Sequence, residues 1–166
     1  MTIEIESLRE SHKPEKIKIL FVGESAPASG AFFYDGKKHS FTTNIRKTFE
    51  IALNVTFEDN KEFLDYFKDA QCYLDDLSLE PVNHLSLQER RVKLQESIVP
   101  FSKRLKGVRP DVLVIIKKDI EQYVRSAVEL SCISPKVIPT YFPGVGHLHK
   151  FREDVIPILQ RHIDND

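Results

Sequence analysis

Apolar residues fall into two kinds of run along this chain. The first is short and continuous: residues 17–22 read IKILFV and residues 111–116 read DVLVII. Such runs, rich in β-branched residues, suit strands buried on both faces of a parallel sheet. Weaker versions stand at residues 72–74 and at residues 136–141, KVIPTY. Pro139 makes the latter an edge strand or a strand end, because a proline has no N–H for a central ladder.

The second kind is periodic. Ile45, Phe49 and Leu53 predict a helix capped by Thr43, and Phe63, Leu64 and Phe67 predict another over residues 60–68. Ser86 with Glu89 three residues on has the form of a capping box. Leu94, Ile98, Phe101 and Leu105 then recur on one helix face. Pro100 is expected to kink or split that helix, and Gly107 to stop it. Ile120, Val124, Ala127 and Val128 mark the next helix. Phe151, Val155, Ile158 and Leu159 mark the last, over residues 150–162, with Pro157 inside it. Asp75, Asp76 and Pro81 open a loop in this reading. The polar residues 1–16 read as a leader or cap before a single domain, 17–166.

Strands alternating with helices predict the α/β class: a three-layer α/β/α sandwich with a central, mostly parallel four-stranded sheet. Ligands of such sheets bind beyond the carboxyl ends of the strands. That directs attention to residues 23–35, 75–84, 117–119 and 142–149.

Composition narrows the picture by exclusion. Of 166 residues, 41% are hydrophobic and 30% charged, an ordinary globular balance that argues against disorder. The net charge of −1 provides no global attraction to nucleic acid or anionic lipid, so DNA binding needs a local basic rim. Cys72 and Cys132 have no CxxC partner, which argues against a disulfide framework or a cysteine-bound metal. Both read as small buried hydrophobes. No apolar run is long enough to span a membrane, and residues 1–15 lack a signal-peptide core. A cytoplasmic monomer is expected.

The first loop, Gly23-Glu24-Ser25-Ala26-Pro27-Ala28-Ser29-Gly30, is built of small residues that let a ligand approach the backbone. It matches neither the GxxxxGK[ST] phosphate loop nor the GxGxxG fingerprint. Glu24 stands where a pocket begins, to orient a water or stabilise positive charge, or to bond its own loop's amides. Phe32-Phe33-Tyr34 follow. Three adjacent aromatics are not expected to face one core: either two are core and one a lid, or one stacks on a flat ligand. In the last loop His147, His149 and Lys150 fall at or near a helix N-terminus, where anions bind. His147 either donates to a developing anion or phosphate, or caps the helix. His147 and His149 have no third partner, so no metal is expected.

Together these pieces resemble the uracil-DNA glycosylase superfamily. Gly23-Glu24-Ser25-Ala26-Pro27 is similar to the GEAPG motif of its thermophilic branch, with one residue added before the proline. Phe32 or Phe33 fits the aromatic that stacks on the flipped base. Phe142-Pro143-Gly144, with His147 beyond, stands where the family often has His-Pro-Ser. The resemblance implies a uracil-DNA glycosylase-like fold, DNA as partner, and hydrolysis of an N-glycosidic bond after base flipping. Glu24 would orient water or favour the sugar cation, and His147 with loop amides would favour the anionic base. Gly23, Ser25, Phe32, Phe33, Asp75 and Asp76 would form the base pocket. Ser25, Ser29 and Lys150 would hold phosphates. Pro143, Gly144, Val145, Gly146, Leu148 and His149 would form the DNA-facing loop, with Val145 or Leu148 as the wedge.

Three differences from the family pattern bear on chemistry. Phe142 cannot donate a hydrogen bond where the family has histidine. Asp75 or Asp76 stands where an asparagine reads uracil, and a carboxylate only accepts. The thermophilic branch's four cluster cysteines are absent, so no cofactor is expected. The base therefore stays open. So do two alternatives: a non-catalytic nucleic-acid- or nucleotide-binding member of the fold, and a small-molecule hydrolase, against which the missing GxSxG elbow counts. The glycosylase reading expects Glu24 and His147 to share one cleft with Phe32 or Phe33.

Overall fold

A computed structural model describes residues 3–163. The continuous apolar runs become strands β1 (Ile19–Gly23) and β3 (Val112–Ile116), with every residue buried. The weaker runs become β2 (Cys72–Asp76) and β4 (Lys136–Thr140). All pairings are parallel, in the order β2-β1-β3-β4. Around the sheet lie α1 (Ile3–Ser11), α2 (Ser40–Leu53), α3 (Asn60–Asp69), α4 (Leu87–Val108), α5 (Glu121–Ser131) and α6 (Leu148–His162).

Connection handedness sets the layers. The chain moves one way from β1 to β2 through α2 and α3. It then turns back across β1 to β3 through α4, and on to β4 through α5. Right-handed crossovers put those two groups on opposite faces. Accordingly α4 packs on α5, whereas α2 packs on α3 and α6. The reversal falls between β1 and β3, so the loops that follow them diverge and leave a crevice.

Several sequence expectations are corrected. Asp75 and Asp76 do not open a loop: both belong to β2 and are buried. They are tolerated there because Arg9 of α1 reaches both carboxylates (3.5 and 3.1 Å) and Arg104 of α4 reaches Asp75 at 3.0 Å. Residues 3–11 are helical. Pro100 does not split α4. It and Glu96, whose carbonyl loses its partner, lie on the exposed face, where water can replace the bond. Gly107 is helical, and α4 ends at Arg109, which takes the left-handed conformation (φ 48°) just before Pro110. Helix α2 begins three residues before Thr43, with His39 at its N-cap. Cys72 is buried, but Cys132 is exposed, at the left-handed C-cap of α5.

The aromatic triplet is also corrected: Phe32, Phe33 and Tyr34 are all buried. With a 3-10 turn over Phe33–Asp35 all three rings join one core, Tyr34 lying edge-on to Phe32 (5.7 Å) and to Phe33 (4.9 Å), and each ring also has neighbours of its own. Phe33 packs on Phe41, Phe63 and Phe67. Tyr34 meets His12 and Tyr73, and Phe32 lies under the Arg9 guanidinium at 5.1 Å. The Tyr34 hydroxyl donates to the Leu74 carbonyl (2.9 Å) and accepts the Leu74 N–H (2.6 Å). Both main-chain groups of an edge-strand residue are thereby satisfied by one side chain.

Candidate functional site

The crevice predicted by topology is a cavity of about 410 Å³ at the carboxyl ends of β1, β2 and β3. That volume falls in the range that takes small organic ligands. The loop after β1 forms one wall, with Gly23, Glu24 and Ser25 nearest the strand and Phe32 and Phe33 beyond. Phe41 at the start of α2 and Phe142 after β4 form the mouth, their rings stacked at 5.2 Å and 12°. The walls are thus largely aromatic, and polar groups enter at a few points.

Asp76 is the polar group of the floor. It is 5% exposed and pairs in register with Gly23. A Cβ at Gly23 would stand 2.6 Å from Asp76 Oδ1, so this position must be glycine for the carboxylate to sit there. Burial pushes the Asp76 carboxyl up to about 6. Arg9 pulls it down and Asp75 adds to the rise. Asp75 points to the α4 side, where Arg104 takes it, and does not line the cavity.

Glu24 lines the cavity as well, but its carboxylate is held from outside. Arg90 of α4 donates to it through Nε (2.9 Å) and Nη2, and Lys117 Nζ stands 3.6 Å away. Asp119 completes the cluster, 2.8 Å from Arg90 and 3.5 Å from Lys117. Glu24 and Asp119 hold the Arg90 guanidinium even more firmly protonated than usual. The geometry fixes the Glu24 carboxylate at the switch point, with both cations gathered on Oε2. Ser25 Oγ accepts the Val82 N–H at 3.1 Å, tying the loop after β1 to the loop after β2.

His147 does not line the cavity. It is exposed, and its ring stacks on Tyr141 at 5.2 Å. Lys118 and Lys150 converge on the same Tyr141 ring, at 4.4 and 5.0 Å. This makes a cationic rim beside Phe142. The loop between them is braced by Asn44, which donates to the Pro143 carbonyl at 2.8 Å. Gly144 packs against the Phe142 ring, Gly146 has φ 84°, and Val145 at the tip is fully exposed. Leu148 is half-buried, while His149 and Lys150 are exposed on the first turn of α6, and Ser29 is exposed in the loop after β1 and does not line the cavity.

Four contributors escaped the sequence reading. Phe41, Lys117, Asn83 and His39 all line the cavity. His39 is paired with Asp35 at 2.7 Å, and Asn83 Oδ1 accepts the Ala28 N–H at 3.0 Å. Lys117 directly follows a strand end, a signal that was available. Asn83 lies in the segment 75–84 to which sheet topology points, whereas nothing in local sequence marks His39. Among the described residues no three His, Cys, Asp or Glu side chains gather as a metal site, and no helix is long and apolar enough to cross a membrane. No family model matches this chain, and no curated protein does either.

Proposed function

We propose that the cavity takes a flat heterocycle turned out of a nucleic acid strand, and that the protein is a DNA glycosylase resembling the uracil-DNA glycosylase superfamily. The observation that carries this reading is the aromatic cavity at the strand ends, with a buried carboxylate on its floor and lysines on its rim. Four phenylalanines suit a π-faced ligand, which gains from stacking whichever base it is. The basic rim of Lys118, Lys150 and His147 suits a phosphate backbone better than a free uncharged metabolite. Val145, apolar and fully exposed beside that rim, suits the gap that a flipped base leaves.

In this reaction the N-glycosidic bond breaks, water gives hydroxide to the sugar carbon, and the base leaves with a proton. Glu24, fixed by Arg90 and Lys117, would face the developing sugar cation as a preset negative charge. Lys117, itself on the cavity wall, would face the departing anionic base. His147 would serve the backbone from the rim. The second reading, a nucleic-acid-binding protein without chemistry, draws on the same cluster: a Glu24 Oε2 that already accepts from Arg90 and stands beside Lys117 is poorly placed to activate water.

Incubation with oligonucleotides bearing uracil, hypoxanthine, xanthine or alkylated bases, followed by alkali, separates the two. Strand scission at one of them that is lost in Lys117→Ala supports the glycosylase. Oligonucleotide binding without any scission supports the binding protein. Neither binding nor scission overturns both.

A further inference from the structure

The floor of the cavity carries information about which edge of a heterocycle it accepts. Asp76 is the only carboxylate on the cavity wall among the described residues besides Glu24, and Glu24 faces Arg90 and Lys117. The Asp76 backbone is pinned on both sides. Its N–H donates to Asp75 Oδ1 at 2.8 Å, and its carbonyl accepts Arg104 Nη2 at 2.7 Å. Its Oδ2 accepts from Arg9 Nη2 at 3.1 Å, and its Oδ1 rests over Gly23. The side chain is therefore fixed in direction, and it cannot swing aside to suit a ligand.

An ionised carboxylate offers acceptors and no donor. Arg9 uses one lone pair of Oδ2, which leaves acceptor capacity on both oxygens of this cavity-lining carboxylate. A ligand edge with two adjacent N–H groups can meet both oxygens at once, as paired donors do with carboxylates elsewhere. A uracil-type edge, with one N–H between two carbonyls, brings an oxygen against an oxygen. Beside a buried carboxylate on a largely apolar wall, that unpaired contact is costly. We infer that Asp76 selects heterocycles presenting a 2-amino-4-oxo edge, the ring N–H beside an exocyclic amine found in guanine-type bases, and rejects the uracil edge. This rests on the proposed base pocket but not on the chemistry performed there.

Chemical-shift titration of the full chain with isocytosine, cytosine and uracil tests it. Isocytosine carries the two-donor edge on a single ring. Cytosine carries one donor beside an acceptor, and uracil carries one donor between two carbonyls. The expected ranking puts isocytosine at least about tenfold tighter than uracil, with cytosine between, since sites built around a buried polar partner discriminate strongly. Asp76→Asn, which offers one donor and one acceptor, is expected to level or reverse the ranking. Should that variant misfold because the Arg9–Asp76 pair is lost, Arg9→Met with Asp76→Asn removes the excess buried charge and keeps the comparison, with Asp75 still held by Arg104. Uracil binding as tightly as isocytosine in the unmodified protein overturns the inference, as does failure of all three to bind. The scission assay is read separately. Isocytosine preference without base release leaves edge selection standing and the glycosylase reading fallen. Release of uracil from DNA together with a uracil preference does the opposite.

Discussion

Two carboxylates end up one strand apart at the same end of the sheet, Glu24 just after β1 and Asp76 closing β2, and each is paired with an arginine from a helix. Their partners live in different media. Arg90, Lys117 and Asp119 keep 21%, 41% and 48% of their side-chain surface, so water shares in that cluster. Arg9 and Asp75 keep 3% and 9%, so the Asp76 cluster is nearly dry apart from Arg104. The same ion-pair chemistry therefore does different work. Near solvent it orients a charge at small energetic cost. In the interior it is a commitment, because removing Arg9 leaves the buried Asp76 carboxylate without the cation it is paired with.

The sharpest way to break this contrast is to remove one arginine from each cluster. Arg9→Ala should destabilise the fold by about 3–5 kcal/mol in chemical denaturation, and Arg90→Ala by about 1 kcal/mol or less. Equal losses would end the distinction. The next test uses pH. Asp76 binds its proton more tightly in the folded chain, where burial lifts its pKa from 3.8 to about 6. Its contribution is most favourable at low pH and is lost as pH rises from about 4 to about 6. The stability of the unmodified protein relative to Asp76→Asn should fall across that window by up to about 3 kcal/mol. A flat difference means that Arg9 holds Asp76 ionised throughout.

Tyr34→Phe is expected to cost about 1–3 kcal/mol, because the Leu74 N–H loses its partner in a buried place while the Leu74 carbonyl keeps only the longer bond from Arg9 (3.4 Å). At the rim the effect on stability should vanish. Val145→Ala and Lys150→Ala should stay within about 0.5 kcal/mol of the parent. Both should weaken oligonucleotide binding, and Lys150→Ala should lower the salt slope by about 1 if it meets a phosphate. An unchanged slope would remove the rim from the site.

The contrast also explains what could be read from the sequence. Strand runs such as IKILFV and DVLVII report burial on both faces, a local property, so the parallel sheet and its helices were legible. The loops of the crevice were legible for the same reason, since sheet topology fixes where they gather. Asp75 and Asp76 read as the opening of a loop because two adjacent acids look incompatible with a strand interior. What makes them compatible is Arg9, 67 residues from Asp76 in sequence, together with Arg104 from α4. Three adjacent aromatics suggest a division between core and surface, because a 3-10 turn that seats Phe32, Phe33 and Tyr34 in one core leaves no periodic mark. His147 was drawn toward the cavity by chain position, yet its ring is held outside by Tyr141, a contact that no spacing rule reports.

The Tyr34 hydroxyl links the pocket to the solubility of the molecule. A four-stranded sheet has two open margins, and each invites a fifth strand from another copy. At β4 the invitation is weakened by Pro139, which has no N–H to give. At β2 it is refused by Tyr34 and Arg9, which occupy the main-chain groups of Leu74. Tyr34 belongs to the loop whose Phe32 and Phe33 wall the cavity, so the pocket wall is also the guard of that margin. Changes that loosen this loop to admit a larger ligand would uncover a pairing edge at the same time. The expected failure of such variants is assembly into aggregates rather than a weaker binder that stays monomeric.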